Sequence, residues 1–383
     1  AAATALATGE KTTNYVIGMD AKKQHGLKSL ARQLKGKGYK IGIITSASID
    51  HATPGGFYAS QPDRSMYYEI GVDAANSGFD FFGGAGLLQP RSKRNASAPC
   101  LYDLFHQKGY TMYRGMDAYN RSHVKDKVLL FPTDTVSGSL KYALDRSEKD
   151  LGLPDLTKAC LDNFAETAKK GFFMMVEGGK IDWAAHAHDA ATVVTETIDF
   201  DQCIRLAYEF YKKHPDETLI LVTADHETGG LGLGNSDTNL NIELLKYQQC
   251  SQEALTNAMR KMKTAKVVPS WEEMKSFLKK NLGFWEQITI TTHEELELLI
   301  CYEQSFLKKK SKDIVSLYAK DEPLAVALLD KKASIGWTTK SHTGAPVPLY
   351  VVGKQAHLYS GRRDNTDMAN ILRRLFNFKQ WEE

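Results

Sequence analysis

The stretch GFFMMVEGGKIDWAAHAHD, Gly171 to Asp189, decides the fold. Its apolar run Phe172–Val176 is bounded by Gly171 and Gly178 and reads as a strand buried on both faces. A polar, helix-forming segment follows at once. Glu177, Asp182, His186, His188 and Asp189 crowd into the thirteen positions that start at Glu177. Similar apolar runs recur along the chain as KIGIITSA (Lys40–Ala47), FDFFGG (Phe79–Gly84), KVLLFP (Lys127–Pro132), ETLILVTADHE (Glu217–Glu227) and PVPLYVVG (Pro346–Gly353). Amphipathic segments such as KKQHGLKSLARQLKGKG and SGSLKYALDRSEKDLG separate the early ones. Apolar strands alternating with helices predict an α/β fold. Its sheet should be large, central and mostly parallel, with helices on both faces.

The segment from Asn239 to Lys332 breaks that rhythm. It is rich in Lys, Glu and Leu, and LLKYQQCSQEALTNAMRKMKTAK and SWEEMKSFLKKNLG fit the helical period. We expect an inserted helical subdomain over 239–332, with 1–238 and 333–383 forming the α/β domain.

Composition narrows the function. Of 383 residues, 42% are apolar and 25% charged, which is a globular balance. A net charge of +3 argues against nucleic acid as the main partner. No run of eighteen apolar residues suggests a membrane span. The first residues, AAATALATGEKTT, have neither the basic nor the apolar region of a signal peptide. Cys100, Cys160, Cys203, Cys250 and Cys301 form no C-x-x-C pair, so thiolate zinc chemistry is not expected; they read mostly as small buried hydrophobes, with one or two disulfides left open.

In open α/β sheets ligands bind beyond the carboxyl ends of the strands. Four such places carry chemistry: His51 and Thr53 in SIDHATPGG, Glu177 with Asp182 and His186, Asp225 with His226, and His342 in SHTG. Asp182 and His186 stand four apart, hence on one helix face. Carboxylate plus imidazole without thiolate suits a catalytic zinc site. Thr53 and Glu177 offer oxygen alone, which suits magnesium. Singly, each pair has a plainer reading, since Asp182 would also serve as a helix cap. His188 and Asp189 leave the Asp182–His186 face and read as outer neighbours or surface residues, His188 as a bystander. His25, His106, His123, His214, His293 and His357 sit in polar or helical contexts and are not expected to be ligands.

Taken together, the motifs resemble the alkaline phosphatase family. ATALATGEKTTNYVIGMD looks like the family's segment just after the nucleophile, and HATP with Arg64, VEGGKID…H, TADHE and HTG follow in order and spacing. The resemblance implies two zinc ions and one magnesium. Asp182, His186 and His342 would hold the first zinc, Asp225 and His226 the second, and Thr53 and Glu177 the magnesium. Arg64 would clamp phosphate through its bidentate fork. His51 would lie near the magnesium, and Trp183 would line the pocket mouth. The implied activity is hydrolysis of small phosphomonoesters in two in-line steps through a phosphoserine, releasing inorganic phosphate. The family's serine aligns two positions before Ala1, so no catalytic nucleophile is expected within these residues. The resemblance further implies a homodimer in the periplasm or outside the cell. A non-catalytic metal- or phosphate-binding protein of the same fold, and a metal-dependent phosphodiesterase or sulfatase, stay open as alternatives.

Overall fold

A computed structural model describes residues 1–122, 126–134, 138–234, 239–265, 267–307, 317 and 323–377. In chain order, α1 (Ala2–Thr8) and α2 (Leu30–Gly36) precede β1 (Lys40–Thr45). Then come α3 (Ala52–Gly55), α4 (Tyr67–Asn76), β2 (Phe81–Gly83), α5 (Leu101–Gln107), β3 (Thr111–Arg114), α6 (Met116–Arg121) and β4 (Val128–Phe131). Next are α7 (Leu153–Thr167), β5 (Phe172–Glu177), α8 (Gly179–His186) and α9 (Ala190–Lys213). The strand order is β3-β4-β2-β1-β5, and every neighbouring pair is parallel.

The apolar strands explain this layer. All four residues of β4 are buried, and so are the last five of β1. Side chains therefore meet helices on both faces of the sheet. One face packs Ile41, Ile43, Phe82 and Leu129 with Leu30, Leu34 and Ile70 from α2 and α4. The other packs Ile44, Phe81 and Leu130 with Leu156, Cys160 and Phe164 from α7. Each such large side chain, fully buried, contributes roughly 1.5–3 kcal/mol. Cys160, Cys203 and Cys301 are buried, as small apolar residues would be.

The remaining strands depart from the expected series. β6 (Leu219–Thr223) does not extend β5; it pairs antiparallel with β11 (Leu349–Gly353). Short antiparallel pairs lie nearby: β7 (Glu227–Thr228) with β10 (His342–Thr343), and β8 (Gly232–Leu233) with β9 (Ile335–Gly336). These pairings join residues more than a hundred positions apart, and local sequence carries no record of them.

Between β8 and β9 run α10 (Gln252–Thr264), α11 (Trp271–Leu282), α12 (Thr292–Tyr302) and α13 (Leu324–Lys332); α14 (Asp367–Leu375) is the last helix among the described residues. α11 and α12 start where Ser270 with Glu273 and Thr291 with Glu294 form capping boxes, each worth about 1 kcal/mol. Leu255, Met259, Met274, Leu278, Leu298 and Leu329 form a core of their own, which Ala190 and Ala191 of α9 join. Ser251 ties this region to the preceding chain: its backbone N–H donates to Asp145 at 2.7 Å and its hydroxyl at 2.5 Å.

Candidate metal centre

The register of β5 on β1 sets the first part of the site. Thr45 faces Glu177 across the ladder, at the carboxyl ends of both strands. The Thr45 hydroxyl donates to Glu177 Oε2 at 2.5 Å. Burial pushes the Glu177 carboxyl up to about 7; hydroxyls of Thr45 and Thr53 oppose this, and the charges of Asp225 and Asp182 reinforce it. A carboxylate desolvated beside other carboxylates is costly unless a cation compensates it. Thr53, in α3, thus reaches the same carboxylate from the neighbouring loop.

α8 then carries Asp182 and His186 on one face, as the four-residue spacing predicts. His186 Nδ1 lies 2.6 Å from the Lys340 carbonyl oxygen, which only accepts. Nδ1 therefore holds the proton, and the Nε2 lone pair is left for a ligand. That Nε2 sits 3.1 Å from His342 Nε2, and Asp182 Oδ1 lies 3.4 Å from the first and 3.5 Å from the second. In a tetrahedral zinc site with bonds of 2.0–2.1 Å, neighbouring ligands stand about 3.3–3.4 Å apart. The triangle fits that edge length. Partial burial first, then the adjacent His226, shifts the His342 imidazole below its usual pKa.

The TADHE turn supplies the rest. His226 Nε2 lies 3.2 Å from Asp225 Oδ2, and the His226 ring stacks on His342 with centroids 3.6 Å apart. Asp182, His226 and His342 each offer a ligand atom within 4.8 Å of the others. The pair Asp225–His226 therefore abuts the Asp182–His186–His342 triangle.

Gly229 lets the chain close over this corner. Its φ is +87°, and a Cβ there would come within 2.8 Å of the Trp337 ring. The Gly229 N–H donates to Ser341 O at 3.1 Å, and its carbonyl accepts from Thr338 and Thr339 at 3.0 and 3.2 Å. The loop before His342 is held by these bonds.

Arg64 and His51 form a separate flank. An Arg64 guanidinium nitrogen lies 3.4 Å from His51 Nε2. Burial first, then Arg64, lowers the His51 pKa to about 4, so the ring is neutral at physiological pH. Trp183 packs edge-on against His51, centroids 5.6 Å apart. Asp182 acts electrostatically on His51, which places this flank beside the triangle.

Sequence reasoning missed several partners. Thr228 donates to Asp182 Oδ1 at 2.6 Å and lies 3.2 Å from His226 Nδ1. Its only signal was a hydroxyl two residues past His226. Thr45 was hidden because strand register is not local. His188 and Asp189 are not at the surface: they are 7% and 1% exposed. His123 lies outside the described residues.

Comparison with known proteins identifies the relatives of this chain. A family described as alkaline phosphatase matches residues 1–80 and 101–378. Alkaline phosphatase 4 of Bacillus subtilis (strain 168) is 32% identical over 97% of this chain and 75% of its own length. Alkaline phosphatase 3 of the same organism is 28% identical over 99% of this chain and 77% of its own. The crystal structure of a cold-active alkaline phosphatase from the psychrophile Shewanella sp. superposes with a TM-score of 0.80, covering 98% of this chain and 84% of that one at 29% identity. The chain belongs to the alkaline phosphatase family.

Proposed function

We propose that the protein hydrolyses small phosphate monoesters at a centre of two zinc ions and one magnesium. Asp182, His186 and His342 hold the first zinc, Asp225 and His226 the second, and Thr53 and Glu177 the magnesium. The observation that carries this reading is the 3.1–3.5 Å triangle of Asp182 Oδ1, His186 Nε2 and His342 Nε2. When bound, zinc supplies Lewis acidity at the entering and leaving oxygens of an in-line displacement.

The chain's own residues do the positioning. Lys340 O fixes the His186 tautomer and so aims its free lone pair at the centre. Arg64 binds two phosphate oxygens and offsets their charge. His51, neutral, presents Nε2 to Arg64 and steadies the fork beside the magnesium ligands. Trp183 lines the pocket mouth. The serine nucleophile belongs two positions before Ala1 in the family's register. Residues 239–332 act as a helical subdomain inserted into an α/β domain of 1–238 and 333–383. The working protein is a homodimer of the periplasm or extracellular space, with inorganic phosphate as product. No described helix is long and apolar enough to cross a membrane.

The test joins the Asp-Ser-bearing upstream segment to this chain and assays an aryl phosphate at alkaline pH with zinc and magnesium. We expect turnover that Asp182→Ala or His342→Ala lowers by several powers of ten, together with weakened zinc uptake. Absence of both zinc uptake and turnover would sink the reading.

A further inference from the structure

The corner between α8 and α9 grips both ends of the helical segment. Asp189 takes the front. It accepts from Gln248 Nε2 at 2.8 Å and from the Gln252 N–H at 2.6 Å, while also capping α9. His188 takes the back. Its Nε2 lies 2.8 Å from the Thr339 carbonyl oxygen, so that nitrogen donates. Its ring stacks on Trp337, centroids 4.8 Å apart and 6° from parallel. Trp337 Nε1 donates in turn to Asp330 of α13 at 2.8 Å.

We infer that His188 is a positioning residue for His342, acting through the Thr339 carbonyl and the Trp337 ring. This role rests on the zinc reading above. Thr339 is held from two sides, by His188 and by the Gly229 carbonyl. Lys340, the next residue, is held by His186. His342 follows two residues later, so its ring has little freedom to leave the triangle. The backbone supports the same conclusion. His188 adopts φ +53°, a left-handed conformation that glycine or asparagine takes more cheaply. A side chain held there against that cost is there for its reach. Groups bonded directly to metal ligands set ligand orientation, and their loss weakens metal binding 10- to 100-fold; His188 acts one step further out, on the loop that bears the ligand, so its effect belongs at the lower end of that range. Through Trp337 and Asp330 the helical segment shares in holding the loop, so its docking and the metal triangle are mechanically linked.

The test measures zinc affinity by chelator competition, and the unfolding midpoint of the zinc-free protein, for the parent, His188→Asn and His188→Gln. Asparagine suits the backbone but is too short to reach Thr339. Glutamine brings its amide nitrogen close to where Nε2 sits. We expect the Asn variant to bind zinc about tenfold more weakly with an unchanged zinc-free midpoint. We expect the Gln variant to recover most of that loss. An Asn variant that matches a zinc-binding parent overturns this role alone. So does a loss in both variants that parallels a fall in the zinc-free midpoint. A parent that takes up no zinc overturns the metal reading itself and this role with it.

Discussion

Thr228 donates a 2.6 Å hydrogen bond to Asp182 Oδ1, and its oxygen stands 3.2 Å from His226 Nδ1. With the hydroxyl proton committed to Asp182, the His226 Nδ1–H donates to Thr228, which leaves Nε2 for a cation. One hydroxyl therefore orients a residue of each proposed zinc site. Thr228→Val keeps the shape and removes the relay. We expect zinc affinity and kcat/KM to fall roughly 10- to 100-fold, with Thr228→Ser close to the parent. Metal titration, with steady-state kinetics on both variants joined to the upstream serine-bearing segment, checks this.

Arg64 is anchored through its backbone, whose N–H donates to Tyr15 O at 2.7 Å, while its guanidinium flanks His51. The backbone anchor survives substitution, so the side chain can be tested without moving the loop. Arg64→Ala should weaken inhibition by inorganic phosphate about 10- to 100-fold, the range expected for losing charge-assisted hydrogen bonds of 1.5–3 kcal/mol. Arg64→Lys should fall between, because a point charge cannot form the two-pronged contact. A phosphate inhibition constant equal in all three proteins would remove Arg64 from the phosphate site.

What the sequence made legible were local rules. The run Phe172–Val176, the four-residue step from Asp182 to His186 and the helical period of Ser270–Gly283 each depend on neighbours within a few positions. What stayed hidden depends on pairing at a distance. Thr45 meets Glu177 only because β1 and β5 align in one register, and Thr228 meets Asp182 only because α8 packs beside β7. His188 read as a bystander because helical periodicity turns it away from His186. The helix ends at His186, and the left-handed turn after it aims His188 at the loop that bears His342.

Asp150 offers a pH test away from the metal centre. Lys141 donates to its carboxylate at 2.6 Å, and the Ser147 N–H and hydroxyl each donate at 2.8 Å. The Lys141 contact first, then Ser147, holds its pKa down at about 2. A depressed carboxylate pKa stabilises the fold above the unfolded value near 3.9, and that contribution is lost as pH falls toward the folded value. Asp150→Asn should therefore flatten the acid limb of stability between about pH 4 and pH 2. Solvent screening limits the effect to about 1 kcal/mol or less, and added salt should shrink it further. Urea unfolding across that pH range, at two ionic strengths, measures both.

Asp189 accepts four hydrogen bonds: Oδ1 from the Thr192 N–H and Gln248 Nε2, and Oδ2 from the Thr192 hydroxyl and the Gln252 N–H. A carboxylate can accept all four, whereas an asparagine must point its amide hydrogens at two of the donors. Burial, by contrast, raises the Asp189 pKa and penalises its charge. The two effects oppose each other. With the amide nitrogen at the Oδ2 position the Thr192 hydroxyl can turn to accept, but the buried Gln252 N–H loses its acceptor; that loss outweighs relief of one desolvated charge that is already well hydrogen-bonded, so Asp189→Asn should destabilise the protein by about 1–3 kcal/mol. The raised folded pKa fixes the sign of the pH dependence. The parent loses stability as pH climbs from the unfolded value through the folded one, and the Asn variant does not. The gap between them should therefore be widest below the unfolded value and shrink as pH rises. Urea unfolding at several pH values would show this, and backbone exchange at Gln252 should accelerate as the front of the helical segment loosens. A gap that widened with pH would mean that the carboxylate is stabilising as a charge, against the burial seen at this corner.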